Sequence, residues 1–305
     1  MQSKSLLACG LLILSPLSSQ EAELPLDFFA RGNVSFQLAD EGNGSFTELK
    51  SNSSRIGVKG EQALGKHNLT AFYNLEWGVD LANLSSDENI TSRNQFIGLA
   101  GDFGKVLAGR VDTSLKLSQG RIDQFNDYEG DLKKLWKGDN RLGQSVAYKS
   151  PTYNGFNAQL TFISKGDEEG ESGQSVAVTY GDRDLKKGAW YAAVAADFDV
   201  SGYDIIRAGA QTKMGNLKLG VMAQRQEVSE GGESQTGALI SAAYKLDSDW
   251  TFKGQAQTME DDRSYSVGAD YQLGEGTKVY AWYTYQDVDA SNNRNWLGTG
   301  LEIRL

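Results

Sequence analysis

Beyond the first two dozen residues, apolar and polar side chains alternate with a period of two, as they do along a half-buried β-strand. In Val34, Phe36 and Leu38 every second position is apolar, while Arg31, Asn33, Ser35 and Gln37 occupy the other side. The pattern returns in Ala71, Tyr73, Leu75 and Trp77 against Thr70, Asn74, Glu76 and Gly78, and again in Phe156, Ala158, Leu160 and Phe162. It also closes the chain, with Leu297, Leu301, Ile303 and Leu305 opposed by Glu302 and Arg304. The spacing predicts about sixteen strands of roughly ten residues each, the length a tilted membrane strand needs. The second is expected at 53–62 and the tenth at 203–212. Short connections at 101–104, 150–154, 213–214, 247–249 and 274–276 alternate with longer acidic ones at 39–52, 80–92, 165–173, 227–235 and 288–294.

A soluble β-sandwich shows the same alternation, with its apolar side turned to a core. Two features favour the opposite arrangement, apolar side to lipid and polar side to a wet interior. The polar side is hydrophilic throughout and rich in small residues, and the last strand runs to the final residue. No segment after the start approaches the ~20 consecutive apolar residues of a membrane helix. A membrane crossing must therefore use a closed barrel, which alone satisfies every backbone group of a sheet in lipid. The expected fold is all-β, a sixteen-stranded antiparallel transmembrane barrel over residues 23–305.

Residues 1–22 read as a secretory leader: Lys4, an apolar run over 6–14, then small residues with cleavage near Ser19 or Ala22. Cys9 follows Leu6, Leu7 and Ala8 as in a lipoprotein signal, but it precedes most of the apolar run instead of ending it. Once the leader is removed no cysteine remains, so disulfides and thiolate metal sites are excluded. The formal charge is −10, and the leader carries one residue of each sign, Lys4 and Glu21, so its loss leaves the balance unchanged. That balance argues against nucleic acid as a partner.

The longest connection, 111–140, carries Asp123, Asp127, Glu129 and Asp131. Taken alone it reads as a solvated acidic loop. Arg31, Arg55, Arg93 and Arg141, however, sit at the parity opposite to the apolar series and should point inward, where they repel one another and gain from an acidic segment folded between them. Basic wall, acidic loop and the transverse field between them suggest a constriction that sorts ions and dipolar solutes. An alternative is a saccharide-selective channel with an aromatic track built from Tyr280, Trp282 and Trp136. A membrane-embedded hydrolase is disfavoured, because the one histidine, His67, falls at a turn. No cofactor or metal is indicated, and the acidic run at 167–171 reads as a solvated loop.

The stretches SRIGVKGE, LTAFYNLEWGVD, SRNQFIGLAGDFGKVLAGR and RLGQSVAYKSPTYNGFNAQLTF resemble successive strands of the general porins of Gram-negative outer membranes. The resemblance covers nearly the whole chain and is most specific over 53–163. It implies a trimer of sixteen-stranded barrels in the outer membrane, in contact with lipid and lipopolysaccharide, passing ions and small hydrophilic solutes by passive diffusion. It further implies a third external loop folded into the pore, with Arg31, Arg55, Arg93 and Arg141 on the constriction wall and Glu76 nearby. Asp123, Asp127 and Glu129 are the loop acids expected to oppose them. The chain departs from the family in lacking a PEFGG run in that loop and in ending with Leu305 instead of Phe.

Overall fold

The alternation becomes the two faces of one continuous wall. The computed structural model describes residues 26–65, 68–82, 89–167, 170–288 and 293–305. The expected leader with Cys9, the turn carrying His67, and part of the acidic run at 167–171 lie outside them. The strands are β1 (Asp27–Asp40), β2 (Ser45–Ser51), β3 (Arg55–Ala63), β4 (Thr70–Val79), β5 (Ile90–Gly101), β6 (Gly104–Asp112), β7 (Arg141–Lys149), β8 (Phe156–Ile163) and β9 (Gly173–Gly181). They continue as β10 (Trp190–Val200), β11 (Tyr203–Met214), β12 (Leu217–Val228), β13 (Gln235–Lys245), β14 (Trp250–Met259), β15 (Asp262–Gly274), β16 (Thr277–Asp287) and β17 (Asn293–Arg304). Apart from β2 and β3, successive strands pair antiparallel, and β17 returns to β1 from Arg31↔Arg304 to Asp40↔Asn295, closing the barrel.

Seventeen segments make sixteen staves. β2 and β3 lie end to end opposite β1, which pairs with β2 over Val34↔Ser51 to Asp40↔Ser45 and with β3 over Asp27↔Lys59 to Arg31↔Arg55. The break at 52–54 is filled without loss of bonding. The Asn52 amide donates to the Asn33 carbonyl at 2.7 Å, and the Ser54 hydroxyl accepts from the Asn33 amide at 2.9 Å.

Several expected boundaries move: β5 begins at Ile90, inside the connection expected at 80–92, and two further shifts have a local cause. Residues 39–52, read as a long acidic loop, are mostly strand, and only 41–44 connect β1 to β2. The polar run hid a half-strand whose Leu49 pairs with Phe36 outside and whose Glu48 pairs with Gln37 inside. The turn expected at 213–214 falls instead at 215–216, because Gly215 takes a positive φ of 58°, which costs glycine little.

Polarity is inverted relative to a soluble protein. Outward side chains such as Phe36, Val194, Ile206, Val221, Ile240 and Leu297 are more than half exposed, while the inward Asn33, Ser35, Gln37, Thr161, Ser175 and Thr284 are buried. On β10 the contrast is one residue wide: Val194 is 60 % exposed and Ala195 only 2 %. An apolar exterior this continuous is stable against hydrocarbon and not against water. No helix among the described residues is long and apolar enough to cross a membrane; the strands do so.

Candidate functional site

The apolar core that a soluble protein would place between layers is here supplied largely by one segment, 113–140, between β6 and β7. Thr113 caps a single helical turn, α1 (Ser114–Ser118), and Asp131 caps a 3-10 turn at Leu132–Lys134. Leu115, Ile122, Phe125, Tyr128, Leu132 and Trp136 are all buried, packed against inward-facing residues of the later strands. Tyr128 stacks on Trp282 with ring centres 5.9 Å apart.

A segment with so little regular structure leaves its own backbone groups unpaired, and buried ones must find partners. Glutamines of the inner wall supply them. Gln255 donates to the Gly130 carbonyl at 3.0 Å and Gln286 to the Glu129 carbonyl at 2.9 Å. Gln255 also accepts from the Gln124 amide and Gln226 from the Lys137 amide, at 2.8 and 2.9 Å. Trp136 Nε1 donates to the Thr258 carbonyl at 2.8 Å, and the Arg207 guanidinium donates to the Lys137 carbonyl at 3.0 Å.

On the other side of the segment the wall is charged. Arg304, Arg31 and Arg55 stand abreast on β17, β1 and β3, each directly opposite the next. Two guanidinium charges about 5 Å apart repel by about 3 kcal/mol at an effective dielectric of about 20, so acids gather between them. Arg31, 8 % exposed, reaches Asp127 of the segment at 2.8 Å and Glu302 of β17 at 2.7 Å. Arg93 pairs with Glu76 at 2.5 Å, and Arg55 lies 3.9 Å from the same carboxylate. Arg141 pairs with Asp112 at 3.0 Å, and Lys116 bonds both Asp112 and Asp139, at 3.2 and 2.9 Å, tying together the two ends of the segment.

Of the loop acids expected to face arginines, Asp127 does so. It is held at a positive φ of 93°, uncommon for a residue with a side chain, while its amide donates to Asp131. Asp123 instead accepts from its own segment, from the Phe125 and Leu132 amides at 2.8 and 2.9 Å. Burial and then repulsion from Asp131 push its carboxyl up to about 8. Glu129 bonds Lys50 and Lys134. Burial alone would raise the Glu129 carboxyl, but these two ammonium groups outweigh it and hold it below the usual range.

Sequence reasoning passed over Asp112, Lys253, Asp270, Lys278 and Glu302. Lys253 and Lys278 both bond Asp270 at 2.9 Å, and Glu302 anchors Arg31. Their inward parity was the available signal, obscured because charged residues are also common in turns. Tyr280 and Trp282 point inward but are 3 % exposed, covered by Tyr128 and seated across the bare backbones of Gly300 and Gly298. With Trp136 also enclosed, none of the three offers a ring face to a sugar. Arg31, Arg55, Arg93, Arg141, Asp123 and Asp127 line one polar cavity of about 690 Å³.

A family model described as Gram-negative porin matches residues 16–291. The major outer membrane protein P.IB of Neisseria gonorrhoeae is 24 % identical over 323 residues, covering 90 % of this chain and 91 % of that one. Among solved structures, an anion-selective porin from Comamonas acidovorans superposes with a TM-score of 0.73 at 18 % identity, covering 93 % of this chain and all of that one. The trimer form of OmpT from Vibrio cholerae superposes with a TM-score of 0.69 at 16 % identity, over 92 % of this chain and 99 % of that one.

Proposed function

The chain belongs to the Gram-negative porin family, and from this premise we propose how its lumen selects what passes. As a porin it is a passive diffusion channel of the outer membrane, and the family finding favours a channel over a catalyst. Arg31, Arg55, Arg93 and Arg141, with Glu76, form the wall of the constriction, and Asp127 is the loop acid opposed to them. Asp123 and Glu129 serve the same constriction indirectly, by shaping the segment that carries Asp127.

The channel prefers anions. One observation carries this reading: thirteen lysines and arginines but seven aspartates and glutamates line the polar cavity, in a chain whose formal charge is −10. Excess acid therefore lies elsewhere, and the potential that a permeating ion meets is set by the lining. Reversal potentials in planar bilayers under a potassium chloride gradient test this. Selectivity for chloride is expected, shifted toward potassium by Arg55→Glu. A native channel that selects potassium would overturn the assignment.

The barrel also assembles as a homotrimer, embedded in outer-membrane lipid and lipopolysaccharide. The apolar outer faces of the early strands support this, with Phe36, Leu38, Leu49 and Ile56 all well exposed in the single chain. The OmpT neighbour described as a trimer provides a precedent on the same fold. Chemical cross-linking in mild detergent is expected to give a three-chain band; a single-chain species at every cross-linker dose would refute the trimer.

A further inference from the structure

A second cavity, of about 730 Å³, lies in the lumen between the segment and strands β3 to β8, and its lining differs from that of the constriction. Inward positions here carry Phe72, Phe96 and Leu107, and Leu117 of α1 joins them. Phe72 and Phe96 meet edge to face with centres 6.2 Å apart. An apolar wall inside a water-filled barrel is in unfavourable contact with water, so an apolar occupant would gain by covering it.

Charge at its edge says which kind. Lys105 and Lys149 are directly opposite each other on β6 and β7 and both line the cavity. Like charges so placed destabilise a sheet unless something neutralises them. Among the described residues neither has a carboxylate within ion-pair distance. Asp27 and Glu61 also line the cavity; Asp27 pairs with Lys59 at 3.2 Å. The Lys105 ammonium sits over the Phe72 ring, 5.5 Å from its centre, joining the cationic and aromatic parts of the site.

Building on the porin reading, which supplies access from the lumen, we propose that this cavity is a binding site for small aromatic carboxylates. The carboxylate would lie between Lys105 and Lys149 and the ring against Phe96, Leu107 and Leu117. The volume suits such a solute, since ligand pockets run to roughly 300–1,000 Å³. Residence here would load the lumen with one solute class without closing it to others.

The test separates binding from conduction. Equilibrium dialysis of radiolabelled benzoate against the detergent-solubilised full-length protein requires no ion flow, and potassium chloride conductance of the same preparation reports independently whether the channel exists. Native protein is expected to bind benzoate, with unlabelled benzoate competing and acetate or benzyl alcohol competing at least about tenfold more weakly, since one lacks the ring and the other the charge. Lys105→Gln with Lys149→Gln, and separately Phe96→Ala, are each expected to weaken binding about tenfold while leaving an open channel. Absence of benzoate binding to native protein overturns the proposal, as does acetate or benzyl alcohol competing equally or the double variant binding as well as native. Loss of conductance with binding intact would refute the porin reading and leave the site standing.

Discussion

The two sides of the lumen are built on opposite principles. Along β11 to β16 the inner wall holds the segment 113–140 mainly with neutral amides and hydroxyls, joined by Arg207, while its charged Lys253, Asp270 and Lys278 face the polar cavity. Along β1 to β7 the wall presents arginines and lysines facing water, many only partly neutralised. The first side behaves as a folded core that supplies partners to the segment's backbone; the second holds charge at a cost in stability, because permeating ions respond to it. Fixed position on one side and unspent charge on the other together make a selective opening. Three substitutions and one titration probe that contrast.

The largest effect is expected at Trp136. It is 2 % exposed, donates to the Thr258 carbonyl and lies beneath the Arg207 guanidinium, 5.8 Å from ring centre to cation. Trp136→Ala should cost about 3–5 kcal/mol, the usual range for emptying a buried aromatic site, and it also leaves the Thr258 carbonyl without its donor. The expected outcome is a lower heat-denaturation temperature in detergent, with larger and noisier single-channel currents as the segment leaves the wall. Quiet currents of native size would mean that the packing does not hold the segment.

A smaller loss tests the amides. Gln286→Leu keeps the volume but removes the donor to the carbonyl of Glu129, which is itself 3 % exposed. An unpartnered buried carbonyl costs about 1–3 kcal/mol. Thermal denaturation should register that loss, whereas the reversal potential should not move, since the exchange changes no charge.

Arg55→Gln reverses the sign of the comparison. Arg55 stands beside Arg31 and has its nearest acid, Glu76, at 3.9 Å. Removing its charge relieves repulsion and breaks no close ion pair, so stability should stay within about 1 kcal/mol of native or rise. Selectivity should nevertheless fall. A marked loss of stability would show that the charged wall is as structural as the amide wall.

How much of this could be read beforehand follows the same division. Period-two alternation assigns each residue to a face, so the sixteen staves and the inward parity of Arg31, Arg55, Arg93 and Arg141 were available from the sequence. It gives no depth along the barrel and no path for a loop crossing the interior. Which acid meets which arginine therefore depended on the route of 113–140, and only Asp127 is carried to Arg31. The inward glutamines read merely as polar, because their role becomes visible only once unpaired loop carbonyls lie opposite them. Residues 41–44 misled for a local reason: Gly42 and Gly44 within an acidic run look the same whether they form a four-residue turn or a long loop.

The smallest effect concerns protons. Asp123 lies where the segment touches the amide wall, and burial together with Asp131 raises its carboxyl to about 8, far above the value near 3.9 of an unfolded aspartate. Between those two values the folded protein holds a proton that the unfolded chain has released, so stability falls as pH rises from about 4 to about 8 and is level on either side. The segment should therefore sit more firmly at pH 5 than at pH 8.5, when two neighbouring aspartates both carry charge. Channel recordings across that interval should show closures becoming more frequent as pH rises. Asp123→Asn removes the ionisation but keeps an oxygen for only one of the two backbone amides, so it should lower stability at every pH while reducing the dependence on pH. If the slope persists in this variant, the proton belongs to another group, and the coupling between the amide wall and the acid that faces Arg31 must run elsewhere.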